Sequence, residues 1–134
     1  MEAAEMARFY PTLVSDKMVS TINFYEDFFG FVPMVEQDGY ALLQNTTDPE
    51  TCIAVFAADH KCVAQLDQSV RGLIITIAVD DIESIYNELY MEGLELYKEF
   101  GVDVHGDRHF VVYDPNGILV NVTEGKRQTQ LLAA

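Results

Sequence analysis

The side chains able to do chemistry in this chain are few and scattered. Three histidines, His60, His105 and His109, form no HxH or HExxH pair that one strand or helix would present to a metal ion. His60 and His105 read as solvated loop residues. His109 follows Arg108 in a strand-like run and is a candidate to face a pocket as a hydrogen-bond or acid–base group. Two cysteines, Cys52 and Cys62, lie ten residues apart without a CxxC pair, so no thiolate zinc site follows, and both read as reduced thiols. No Ser–His–Asp arrangement can be justified from spacing. Four aromatic residues, Tyr40, Phe56, Phe110 and Tyr113, stand in strand-like runs. Such rings stack on planar molecules or attract cations at about 0.5–2 kcal/mol per contact, and they serve equally well as core.

The charge balance narrows the partners. Eight basic and 22 acidic residues give a formal charge of −14 and a pI near 4.3. That field repels phosphate backbones and anionic lipid surfaces, which argues against nucleic-acid and membrane binding and favours cationic ligands. The longest apolar runs, such as Gly72–Val79, are far shorter than the roughly 20 residues needed to cross a bilayer. The start, Met1–Met6, is acidic where a secretory signal needs basic residues, so the cytoplasm is the expected compartment. With 49% hydrophobic residues over 134 positions, the chain has the composition and length of one globular domain.

The elements that must position these side chains come in a repeated order. Phe9–Val14 reads as a strand, and Ser15–Asp16 offers oxygens to cap the helix that follows. In that helix Ile22, Tyr25 and Phe29 recur at helical spacing until Gly30 supplies a stop. Three strand-like runs come next, Phe31–Glu36, Tyr40–Gln44 and Cys52–Ala57. The stretch 58–71 shows no long period and reads as a connection. The order then returns: strand Leu73–Val79, cap Asp80–Asp81, helical positions Ile82, Ile85, Tyr86 and Leu89, and a stop at Gly93. Strands Leu94–Glu99, Arg108–Tyr113 and Ile118–Thr123 complete it, the last two joined by the turn Asp114–Pro115–Asn116–Gly117. The chain therefore reads as an α+β protein of two tandem βαβββ half-modules, 8–57 and 72–124, with a tail over 125–134 that is frayed or packed on a partner.

Val14–Ser15–Asp16, followed by Phe24–Tyr25–Glu26–Asp27–Phe28–Phe29–Gly30–Phe31, resembles the opening signature of the glyoxalase/bleomycin-resistance/extradiol-dioxygenase proteins, the vicinal oxygen chelate superfamily. Tyr113–Asn121, with its Asp114–Gly117 turn, resembles that family's closing hairpin, so the two motifs bracket nearly the whole chain. The resemblance implies a single domain in which the two modules form a curved, cup-like mixed sheet with helices outside. It further implies a ligand held inside the cup and a homodimer. The Gly39–Gln44 run resembles the corresponding strand of metal-free bleomycin-resistance proteins, which sequester cationic drugs in acidic, aromatic-lined grooves.

Family enzymes hold a divalent metal with His and Glu from four strands. Counting from the motifs places Phe9, Ala54, Ile74 and Asn121 at those positions. The first three lack a donor atom and an amide is at best a weak single ligand, so no metal and no cofactor is expected. Strand alternation then lines the cup with Phe9, Pro11 and Leu13, with Ile74 and Thr76, and with Leu119, Asn121 and Thr123. The candidate ligand-binding set is Phe9, Tyr40, Ala54, Phe56, Ile74, Thr76, Arg108, His109, Phe110, Tyr113 and Asn121. The leading expectation is a metal-independent protein that sequesters an aromatic or cationic small molecule. The alternatives are a lyase, isomerase or dioxygenase-type enzyme of the same superfamily, using Arg108, His109 or Asn121 if it is metal-independent, and an interaction module that binds nothing small.

Overall fold

The computed structural model describes residues 8–67 and 72–126. The chain divides into two compact units, Met1–Ser69 and Val70–Ala134, a boundary that falls inside the expected connection.

The first unit contains β1 (Thr12–Ser15), α1 (Met18–Phe29), β2 (Phe31–Gln37), β3 (Tyr40–Asn45) and β4 (Cys52–Ala57). Its sheet runs β1-β4-β3-β2, with β1 parallel to β4 and the other neighbours antiparallel. Helix α1 ends where Gly30 adopts a left-handed φ of 70° and its N–H reaches Tyr25 O, the geometry a residue without Cβ provides at little cost. The start of α1 differs from expectation. Lys17 occupies the cap position and makes no side-chain cap bond, because Ser15 is still the buried last residue of β1. Ser15 Oγ instead accepts from Lys17 N and lies 3.2 Å from Thr21 Oγ1.

Phe24, Tyr25 and Phe29 bury one stripe of α1 and form an aromatic cluster that includes Phe31. Beneath the helix lie Leu13, Ala41, Leu43, Ile53 and Val55, each nearly inaccessible. Thr12, Val14, Tyr40, Leu42, Ala54 and Phe56 alternate with them and share the opposite face, as the pairings Thr12↔Ala54, Tyr40↔Phe56 and Leu42↔Ala54 require.

The second unit repeats this plan with β5 (Ile74–Ala78), α2 (Ile82–Met91), β6 (Leu96–Val102), β7 (Arg108–Tyr113) and β8 (Leu119–Thr123) in the order β5-β8-β7-β6. Again the first strand pairs parallel with the last, so both units are βαβββ modules of one topology. Asp81 caps α2 as expected, its carboxylate accepting from Ser84 N at 3.1 Å. In the Asp114–Gly117 turn, Asp114 Oδ1 accepts from both Asn116 N and Ile118 N. Ile75, Ile77, Phe110, Val112, Val120 and Val122 share the face that packs toward α2, with Ile82 and Leu89 buried from the helix. The other face carries Ile74, Thr76, His109, Val111, Tyr113, Leu119, Asn121 and Thr123. No helix among the described residues is long and apolar enough to cross a membrane. Most of the expected tail, 127–134, lies outside the described residues.

Candidate functional site

The open face of the second sheet forms one wall of a pocket of about 430 Å³, within the usual range for small-molecule sites. Strands β5 and β8 contribute Ile74, Thr76, Leu119, Asn121 and Thr123, five residues that alternation along the sequence had placed together. His109 and Val111 add the adjacent stripe of β7. The opposite rim comes from β6 and the loop after it, through Tyr97, Lys98, Asp103, Val104 and His105.

The β7–β8 ladder positions the polar centre. His109 lies opposite Thr123, and Val111 opposite Asn121, so His109 and Asn121 sit on one face at a diagonal. His109 Nδ1 and Asn121 Oδ1 are 2.8 Å apart. His109 is only 8% exposed, and its Nε2 is buried with no hydrogen-bond partner. Leaving such a group unsatisfied costs about 1–3 kcal/mol, which a partner donated by a ligand would recover.

The rim was the part missed in the sequence. Strand β6 carries two register irregularities, between Leu96 and Lys98 and between Lys98 and Gly101, which defeat simple alternation. The loop that follows is held by Asp103, whose Oδ1 accepts from His105 N and Asp107 N. Burial pushes the Asp103 carboxyl up, but these N–H donors outweigh it and hold it below the usual range. An aspartate two residues before His105 and four before another aspartate, with Gly106 between, was the available turn signal. His105, read as a plain loop residue, is therefore on the pocket rim.

Other expected residues lie elsewhere. Arg108 points to the α2 side, where it bridges Glu83 at 2.6 Å and Glu124 at 3.2 Å and its guanidinium carbon stands 5.8 Å from the centre of the Phe100 ring. Its hydrogen bonds to Glu83 and Glu124 raise its pKa, so it is a fixed cation outside the pocket. Phe110, fully buried, packs against Tyr86 and Phe100 on that same side. Both residues differ from His109 by one position, and in a strand one position reverses the face. Tyr113 stands on the open face, edge-on to Tyr97 at 5.8 Å.

In the first unit, the Tyr40 and Phe56 rings are tilted against each other at 4.6 Å and Phe56 meets the His60 ring at 4.8 Å, so an aromatic patch occupies the face opposite α1 there. Burial and the neighbouring Tyr10 raise the Tyr40 hydroxyl above its ordinary value. Ala54 lies in that face beside Leu42 and Thr12. Phe9 precedes β1 and is 79% exposed. Leu13, expected to share its direction into the cup, instead packs on the α1 side. The register is offset by one residue because Leu13 pairs with Val55 in the core.

The residues present do not fit the divalent metal of family enzymes. Phe9, Ala54 and Ile74 offer no donor, Asn121 Oδ1 already faces His109, and Thr12 and Val14, the β1 residues on the face opposite Leu13, carry neither an imidazole nor a carboxylate. Among the described residues no three His, Cys, Asp or Glu side chains gather closely enough to hold an ion.

No curated protein matches this chain in sequence. Among solved structures, TioX from Micromonospora sp. ML1 superposes with a TM-score of 0.71 at 15% identity, covering 88% of this chain and 98% of that one. A bleomycin resistance determinant encoded on the transposon Tn5 gives 0.65 at 20% identity, covering 90% and 99%. A lactoylglutathione lyase from Agrobacterium tumefaciens gives 0.71 at 17%, covering 91% and 96%. At these identities the likeness is one of fold. The family model described as Glyoxalase/Bleomycin resistance protein/Dioxygenase superfamily matches residues 8–122, spanning both βαβββ modules and both sequence motifs, and the chain belongs to that superfamily.

Proposed function

We propose that this protein binds a small aromatic or cationic molecule without a metal, as a sequestering member of its superfamily. The observation that carries this reading is the pocket on the open face of the second sheet. An apolar wall of Ile74, Val111 and Leu119 surrounds a few polar groups, chiefly His109 and Asn121, which is the composition of a site that holds rather than one that activates water on an ion. The Tyr40–Phe56 pair supplies aromatic surface for the same class of ligand, and the −14 charge raises the local concentration of cations. Likeness in fold to a bleomycin resistance determinant agrees with this reading.

The experiment is a thermal-shift screen of cationic antibiotics, aldehyde–thiol adducts and catechols, paired with metal analysis of the purified protein. A ligand that binds the folded state raises Tm by mass action, by an amount set by its concentration relative to Kd. A hit that raises Tm in metal-free protein and is recovered unchanged supports sequestration. Stoichiometric nickel, zinc, iron or manganese, or conversion of a hit to product, replaces it with an enzyme of the same superfamily.

A further inference from the structure

The His109 imidazole is hydrogen-bonded at one nitrogen and buried without a hydrogen-bond partner at the other. With Asn121 Oδ1 facing Nδ1, and a carbonyl oxygen only accepting, Nδ1 carries a proton, so the lone pair of a neutral imidazole here is on Nε2. Neighbouring polar groups are committed elsewhere. Thr123 Oγ1 donates to Arg108 O and accepts from Gly125 N. Opposite His109 on β6 stands Gly101, which carries no side chain and where an added Cβ would find its nearest neighbour at 3.9 Å. The titratable groups facing the pocket are Tyr97 and Lys98 from β6 and Asp103 and His105 from the following loop, while β5 and β8 contribute only uncharged residues.

We propose that the pocket selects a small, mainly apolar molecule bearing a hydroxyl or N–H donor, with phenols the simplest class, and that His109 Nε2 is the acceptor that receives it. This deepens the binding function proposed above and rests on it.

The test titrates 2-naphthol and 2-methoxynaphthalene, which differ by the one donor, into the full-length protein. The naphthol binds about tenfold more tightly. His109→Phe removes the preference. His109→Gln, whose amide oxygen also accepts, keeps a preference. Equal affinity for the two probes in the wild type, or a preference that survives in His109→Phe, overturns the assignment to Nε2 and leaves the pocket standing. Binding of neither probe overturns the pocket as a site for such ligands and the assignment with it. Should His109→Phe fail to fold, the wild-type pair and His109→Gln decide the question.

Discussion

His109 Nδ1 and Asn121 Oδ1 lie 2.8 Å apart across the β7–β8 ladder, and that contact decides which imidazole nitrogen keeps its lone pair. Nitrogen-15 shifts of the ring are therefore expected to report the Nδ1–H tautomer in the wild type. In Asn121→Leu the constraint is gone and the Nε2–H tautomer gains population, with a loss of about 0.5–1.5 kcal/mol in stability for the missing bond. An unchanged tautomer in the variant would mean that another group orients the ring.

Phe110 and His109 are adjacent in β7 yet serve opposite faces. Phe110→Ala is expected to cost about 3–5 kcal/mol in urea unfolding, since the ring is fully buried against Tyr86 and Phe100. Under conditions where it stays folded, its ligand affinity remains within about twofold of wild type. Leu119→Trp gives the converse, filling the pocket and weakening binding at least tenfold with little change in stability. Isothermal titration of the two variants separates the roles.

Gly30 tests the boundary of α1. Its φ of 70° is strained for any residue with a Cβ, and an added Cβ would stand 3.2 Å from Thr46 Oγ1. Gly30→Ala is expected to lower stability by about 1–2 kcal/mol, seen as a lower denaturant midpoint at unchanged slope.

Glu124 sets part of the acid limb. The backbone N–H of Arg108, and then its guanidinium, hold this carboxyl below its ordinary value. A carboxyl depressed in the folded state contributes stability that is fully present above its unfolded pKa, about 4.3, and is lost as pH falls through the folded value. Glu124→Gln should therefore flatten the fall in Tm below about pH 4.3 and leave the slope near neutrality unchanged. Parallel acid limbs in the two proteins would show that other carboxyls dominate.

Much of this architecture was legible because local chemistry and global topology agree. Gly30, Asp81 and the Asp114–Gly117 turn punctuate the chain where the structure breaks, and β4 and β7 have the expected bounds. Where a turn lies close to a strand, its register was legible too, which is why Ile74, Thr76, Leu119, Asn121 and Thr123 were found together. Register failed at β1, where Leu13 lies on the α1 side, and face assignment failed at Arg108 and Phe110. A period of two makes a one-residue error a complete reversal, which the pairings Leu13↔Val55, Val102↔Arg108 and Phe110↔Val122 reveal. The β6 rim was hidden for another reason, since bulges erase alternation and Asp103 orders the loop through backbone contacts.

The central claim is that a small molecule occupies the open face of the second sheet. The most direct test is titration of nitrogen-15-labelled protein with 2-naphthol, following the backbone amides. Saturable shifts at Ile74, Thr76, His109, Leu119 and Asn121, absent in Leu119→Trp, are the predicted result. Shifts confined to other residues, or none up to the solubility of the probe, would contradict it.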